Sequence, residues 1–204
     1  VGSIDLNNNN LFSLCDNSTH SLKLWKSMIN LQYFAAAKNS IRYLGPEFGA
    51  HFANLKSIDL SGNKLEDVSL SLSHLRSLST LDLSDNLLTA TPSFCQAIGS
   101  LTSLTELYLG RNKLDKIPEE FSALSQLNCL NLWHNLISDI PENVVSKWRG
   151  FQHASGNISK AIFLSYNNLS SFPSALFSLT HLNELYLSGN SIPEIPDDAP
   201  KKLP

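Results

Sequence analysis

Asparagine returns eight times in one setting along this chain, at Asn9, Asn39, Asn63, Asn86, Asn112, Asn135, Asn167 and Asn190, each time with apolar residues five and three places before it. The successive gaps are 30, 24, 23, 26, 23, 32 and 23 residues, a period near 23 with insertions. Self-similarity at such a period marks a stacked array, in which each unit touches only its neighbours, rather than a globule folded around one centre.

The apolar pairs are Ile4/Leu6, Phe34/Ala36, Ile58/Leu60, Leu81/Leu83, Leu107/Leu109, Leu130/Leu132, Ile162/Leu164 and Leu185/Leu187. Counting Leu104 as position one, they fall at positions four and six, and the asparagine at nine. A stretch such as Glu106-Leu107-Tyr108-Leu109-Gly110 alternates, so it predicts a short strand with its leucines on one face. One unit cannot bury that face alone. Neighbours stacked in parallel about 4.8 Å apart can, and eight of them make a sheet roughly 35 Å long. The asparagine follows the strand, where the turning chain leaves backbone groups unpaired, and its amide both donates and accepts. All eight asparagines are therefore expected to be a structural ladder and not ligands.

The second half of each unit fits the same scheme. Proline follows Thr91, Ile117, Ile140, Phe172 and Ile195, at Pro92, Pro118, Pro141, Pro173 and Pro196, where it can open a short helix or extended turn. Three and six residues later come Cys95/Ile98, Phe121/Leu124 and Leu176/Leu179, placed to pack a convex wall onto the leucines, with Cys95 as a small core residue. The segment Leu104 to Leu124 matches LxxLxLxxNxLxxIPxxFxxL, and on these residues the chain resembles the leucine-rich repeat family over nearly its whole length. The resemblance implies an α/β fold, a right-handed leucine-rich repeat solenoid (horseshoe) with a parallel concave β-sheet, as one domain of about eight repeats over 1–204. It also implies protein recognition on the concave face.

Composition removes other classes. With 15 basic and 18 acidic residues, the chain has no cationic excess to neutralise phosphates, so nucleic acid is not an expected partner. The longest apolar run, around Tyr33 to Ala37, is far short of the roughly 20 residues of a membrane span. Val1 to Asn10 does not read as a signal peptide. No phosphate-binding loop, HExxH, paired CxxC or GxSxG occurs, and His20, His51, His74, His134, His153 and His181 are scattered over five different repeats. We expect no enzymatic activity, metal or cofactor within this segment. Cys15, Cys95 and Cys129 lie in different repeats and give no disulfide framework. The absence of cysteine-rich caps and the IPxxFxxL form resemble intracellular signalling scaffolds and place the chain in the cytoplasm. Sequons at Asn17, Asn157 and Asn168 point the other way, but are no more than chance supplies. Val1 stands at the first position of a repeat and Pro204 stops where another could begin, so a segment of a larger protein is expected.

Function should reside in the residues that do not repeat. Positions three and five of each strand point away from the core, with seven and eight at the rim. Position five reads Asp5, Ala35, Asp59, Asp82, Tyr108, Asn131, Phe163 and Tyr186. The first half carries an acidic patch of Asp59, Asp82 and Asp85. The second half collects Tyr108, Arg111, Trp133, His134, Phe163, Tyr166 and Tyr186, and Trp, Tyr and Arg dominate interface energies. These seven form the expected partner-binding surface, unless the rings only pack on one another along neighbouring strands. The 32-residue gap contains Trp148 and Phe151, either a second contact element or filling for the convex wall. The 30-residue gap contains Trp25 in an amphipathic stretch, expected in the core. The resemblance implies a protein partner in intracellular signalling. The alternatives are a non-catalytic regulatory arm of a multidomain GTPase, kinase or phosphatase, and an extracellular receptor or adhesion domain.

Overall fold

The alternation spans about five residues in each repeat, and the strands within it are correspondingly short. In order they are β1 (Ser3–Asp5), β2 (Ser13–Leu14), β3 (Tyr33–Ala35), β4 (Tyr43–Leu44), β5 (Ser57–Asp59), β6 (Thr80–Asp82), β7 (Glu106–Tyr108), β8 (Cys129–Asn131), β9 (Ala161–Phe163) and β10 (Glu184–Tyr186). The computed structural model describes residues 1–14, 27–45, 48–68, 70–152, 159–197 and 199. Eight strands form one parallel sheet in the order β1-β3-β5-β6-β7-β8-β9-β10, and β2 pairs with β4 in a second, two-stranded sheet. The register never slips. Ile4, Phe34, Ile58, Leu81, Leu107, Leu130, Ile162 and Leu185 stand opposite one another from strand to strand, so the insertions are absorbed in the return halves.

The core follows from this register. From Ile58 to Leu132, position four and six residues are fully or almost fully buried, each contributing about 1.5–3 kcal/mol by leaving water. At the two ends Ile4, Leu6, Leu185 and Leu187 are only partly buried, because a terminal unit has one neighbour instead of two.

The asparagines join the repeats. From Asn39 onward each side-chain oxygen accepts the N–H of the residue two places past the preceding asparagine: Asn112 Oδ1 takes Leu88 N at 3.0 Å and Asn135 Oδ1 takes Leu114 N at 2.9 Å. Each Nδ2 donates to the position-six carbonyls of its own and the preceding repeat, as Asn112 does to Leu109 and Leu83, both at 3.0 Å. Asn63, Asn86, Asn167 and Asn190 repeat the pattern, as does Asn39. Asn9 is exposed and, among the described residues, bonds only Leu6 and Asn7 in its own turn.

The return halves use the prolines as starts. Thr91 caps the helix Pro92–Gly99 by accepting Phe94 N–H, with Pro92 in its first turn. Pro118, Pro141 and Pro173 precede the short helices Glu119–Ala123, Glu142–Val145 and Ser174–Ser178. Cys95, Ile98, Phe121, Leu124, Leu176 and Leu179 are all buried. Residues 142–152, the described return half within the 32-residue gap, belong to this wall. Trp148 and Phe151 are fully buried, Trp148 Nε1 donates to Phe121 O at 2.9 Å, and a Cβ on Gly150 would stand 2.2 Å from Leu127 O. Of the two readings of Trp148 and Phe151, filling of the convex wall is the one the structure bears out: both aromatic side chains are consumed by the core. Trp25, Cys15, His20, His153, Asn17 and Asn157 lie outside the described residues.

Candidate partner-binding face

Every repeat turns off its strand through one left-handed residue, immediately before the asparagine: Asn8, Lys38, Gly62, Asp85, Arg111, His134, Tyr166 and Gly189, with φ between 53° and 70°. Glycine, asparagine and aspartate take this conformation readily, whereas Lys, Arg, His and Tyr are held there against a cost of about 1–2 kcal/mol. The neighbouring repeat does the holding. Asp85, Arg111, His134 and Tyr166 donate their N–H groups to the carbonyls of Gly110, Trp133, Ser165 and Ser188. Three large side chains, Arg111, His134 and Tyr166, are thus presented by adjacent turns in a strained backbone, an arrangement concentrated at functional sites.

These side chains interact. Arg111 Nε lies 3.3 Å from Asp85 Oδ1, and the guanidinium sits over the Trp133 ring at 4.8 Å from its centroid. Trp133 meets Tyr166 edge to face at 6.1 Å, and His134 stacks on Tyr166 at 6.2 Å. Tyr166 in turn lies against Gly189, whose missing Cβ would be 2.7 Å from Tyr166 Cδ1. One strand row below, Phe163 and Tyr186 stack at 4.8 Å with their planes 5° apart. The rings therefore pack along neighbouring strands and still present surface: Tyr166 is 54% and Tyr186 45% exposed. Tyr108 stands apart from the ring pairs, its hydroxyl donating to Glu106 Oε2 at 3.0 Å.

The aspartates of position five have a second use. Asp5, Asp59 and Asp82 each accept the N–H two residues on, from Asn7, Ser61 and Ser84, and Asn131 does the same for Trp133. Such an Asx turn lets a carboxylate start the bend. Burial pushes the Asp82 carboxyl above its ordinary range, against the Ser84 hydrogen bonds and with Asp59 and Asp85 adding to the rise. Asp59 and Asp82 are thus turn formers as well as an acidic patch; Asp85 belongs to the Arg111 pair.

Position three adds residues that the position-five series passes over. Glu106 and Glu184 project from β7 and β10, and the tripeptide Glu-Leu-Tyr at 106–108 and again at 184–186 is the signal that marks them. In both copies the tyrosine hydroxyl donates to the glutamate, at 3.0 Å from Tyr108 and 2.9 Å from Tyr186. Ser159 Oγ also donates to Glu184, and these hydrogen bonds hold the Glu184 carboxyl below its usual range. Tyr33 at position three of β3 is 52% exposed.

The sequence matches the family described as Leucine rich repeat over residues 29–88, with two-copy matches at 76–122 and 102–145 and a further one at 181–203. The chain belongs to the leucine-rich repeat family. Bovine lumican is 37% identical over 185 residues, which is 87% of this chain and 47% of lumican. Mouse leucine-rich repeat serine/threonine-protein kinase 1 is 32% identical over 165 residues, 78% of this chain and 8% of the kinase. The chain therefore spans just under half of the one relative and a small part of the other. Among solved structures, a leucine-rich repeat protein of Leptospira interrogans superposes with a TM-score of 0.80 at 27% identity, covering 98% of this chain and 46% of that one. Leucine-rich repeat domains generally bind proteins. No helix among the described residues is long and apolar enough to cross a membrane.

Proposed function

We propose that the chain recognises a protein partner through the second half of its concave face, by surface complementarity and without chemistry. The observation that carries this is the row Asp85, Arg111, His134 and Tyr166, four consecutive left-handed positions that hold large or charged side chains where glycine would be unstrained. Together with Trp133, Phe163 and Tyr186 they make a pre-organised aromatic and guanidinium surface, and rigid aromatic anchors lose little entropy on binding. Affinity capture with the wild type beside the variant Tyr108→Ala/Trp133→Ala/Phe163→Ala/Tyr186→Ala tests it. The quadruple variant is expected to keep its circular dichroism spectrum and lose the captured protein; identical capture by both would move the site elsewhere.

In this reading the module is a part of a longer protein, and the relatives bear on where that protein works. Lumican is extracellular, which favours the extracellular alternative over placement in the cytoplasm. The kinase relative keeps the regulatory-arm alternative in view. Asn168, the sequon within the described residues, is exposed. A glycan there after passage through a secretory pathway, detected as a mass shift removed by an N-glycosidase, is the outcome the extracellular reading expects.

A further inference from the structure

The concave sheet has a charge asymmetry. Its sixteen outward positions, three and five of the eight strands, carry Asp5, Asp59, Asp82, Glu106 and Glu184 and no lysine, arginine or histidine, although the chain as a whole holds 15 basic residues against 18 acidic. On the rim, Arg111 is already paired with Asp85, His134 stacks on Tyr166, and Lys38 stands three repeats before β7. The register then fixes how the two glutamates are spaced. Glu106, Cys129, Ala161 and Glu184 stand in one row across β7, β8, β9 and β10. Two small side chains, the partly buried Cys129 and the buried Ala161, stand between a carboxylate at each end. Three strand steps of about 4.8 Å put the ends about 14 Å apart, and an extended chain covers the same distance in four residues at about 3.4 Å each. Residues i and i+4 of an extended segment also point to the same side. The Tyr108 and Tyr186 hydroxyls orient the two carboxylates, and the Phe163 and Tyr186 rings line the neighbouring row.

Resting on the concave-face reading above, we propose that the occupant is an extended basic segment of a partner protein, crossing β7 to β10 with lysine or arginine at i and i+4 against Glu106 and Glu184. The residue at i+2 sits over the small side chains of Cys129 and Ala161, and the aliphatic stems of the basic side chains lie along the aromatic row. Guanidinium suits these sites best, because it pairs with carboxylate in a bidentate way and stacks on rings.

The probe is a fluorescent, otherwise neutral seven-residue peptide with arginines at positions 2 and 6, titrated at low salt by anisotropy. Its isomer has arginines at 2 and 5, and a third peptide has glutamates at 2 and 6. The first is expected to bind and the glutamate peptide not to bind, with the isomer weaker because its second arginine faces away from the sheet. Glu106→Gln/Glu184→Gln keeps both tyrosine hydrogen-bond acceptors and should weaken binding about three- to tenfold. Glu119→Gln/Glu120→Gln removes the same charge from the exposed return side and should leave binding within about twofold. Glu106→Lys/Glu184→Lys should transfer preference to the glutamate peptide. Equal losses from the two Gln pairs, or equal binding of the two arginine isomers, would overturn the proposal. The two readings can also fail separately. A captured partner lost by the aromatic variant and retained by Glu106→Gln/Glu184→Gln leaves concave recognition standing and removes the basic occupant; one retained by both variants removes both.

Discussion

Asn112→Ala is the sharpest test of the ladder, because the structure says which group is abandoned. Asn112 is 8% exposed. Its Nδ2 donates to Leu83 and Leu109, and its Oδ1 accepts Leu88 N–H. After truncation Leu83 O keeps the Asn86 amide and Leu109 O keeps the Asn135 amide, so neither carbonyl is orphaned. Leu88 N–H has no such second partner among the described residues and is left buried and unpaired. An orphaned buried donor costs about 1–3 kcal/mol, and each hydrogen bond lost elsewhere about 0.5–1.5 kcal/mol. A total of about 3 kcal/mol is expected, lowering Tm by about 6–12 °C for a chain of this size. Asn9→Ala touches only exposed bonds within one turn and should cost under about 1 kcal/mol. Asn112→Asp separates the two halves of the amide: it can still accept Leu88 N–H but sets an oxygen against two carbonyls, so it should destabilise at least as much as alanine. Urea unfolding followed by circular dichroism, with thermal melts alongside, measures all three. A cost for Asn112→Ala equal to that for Asn9→Ala, or Asn112→Asp behaving as wild type, would refute the ladder as a source of stability.

Gly189→Ala adds a Cβ at φ 70° and drives it toward Tyr166; it should cost about 1–2 kcal/mol and weaken partner capture although no contacting side chain is removed, as a melt and a pull-down would show. Trp148→Phe loses the hydrogen bond to Phe121 O and part of a fully buried ring; destabilisation of about 1–3 kcal/mol is expected in urea, with partner binding unchanged below the transition. Asp82→Asn keeps the acceptor for Ser84 N–H while removing a carboxylate whose folded pKa burial has raised. For a raised acid, the folded state prefers the proton, so the penalty is fully present above the folded pKa and fades as pH falls through it toward 3.8. Asp82→Asn should therefore be more stable than wild type at neutral pH and match it in acid; a difference independent of pH in melts from pH 3 to 7 would contradict this.

The parts of the fold that were legible from the chain are those that repeat. Ile4 to Leu185 fall in one register because the asparagine period fixes position four in every unit, and the wall of Cys95, Ile98, Phe121, Leu124, Leu176 and Leu179 follows from spacing after proline. What the period could not assign was the fate of side chains in the insertions: Trp148 and a surface tryptophan have the same letter, and only the close passage of Gly150 over Leu127 O shows that this loop is pressed into the wall. The left-handed row was legible in principle. Asn8, Gly62, Asp85 and Gly189 are residue types that tolerate positive φ, and the repeat extends their conformation to Lys38, Arg111, His134 and Tyr166. Reading position eight down the array, instead of each residue in its own neighbourhood, turns a run of ordinary surface letters into four places where the chain keeps a costly side chain. Three of these four are adjacent and meet at Trp133. Lys38, the fourth, stands four repeats away from His134 and outside that cluster. If strain were merely tolerated at this turn, Lys38→Gly and His134→Gly should each stabilise the fold by about 1 kcal/mol with no other consequence. On the present reading only Lys38→Gly is free of consequence, and His134→Gly gains stability while losing the partner.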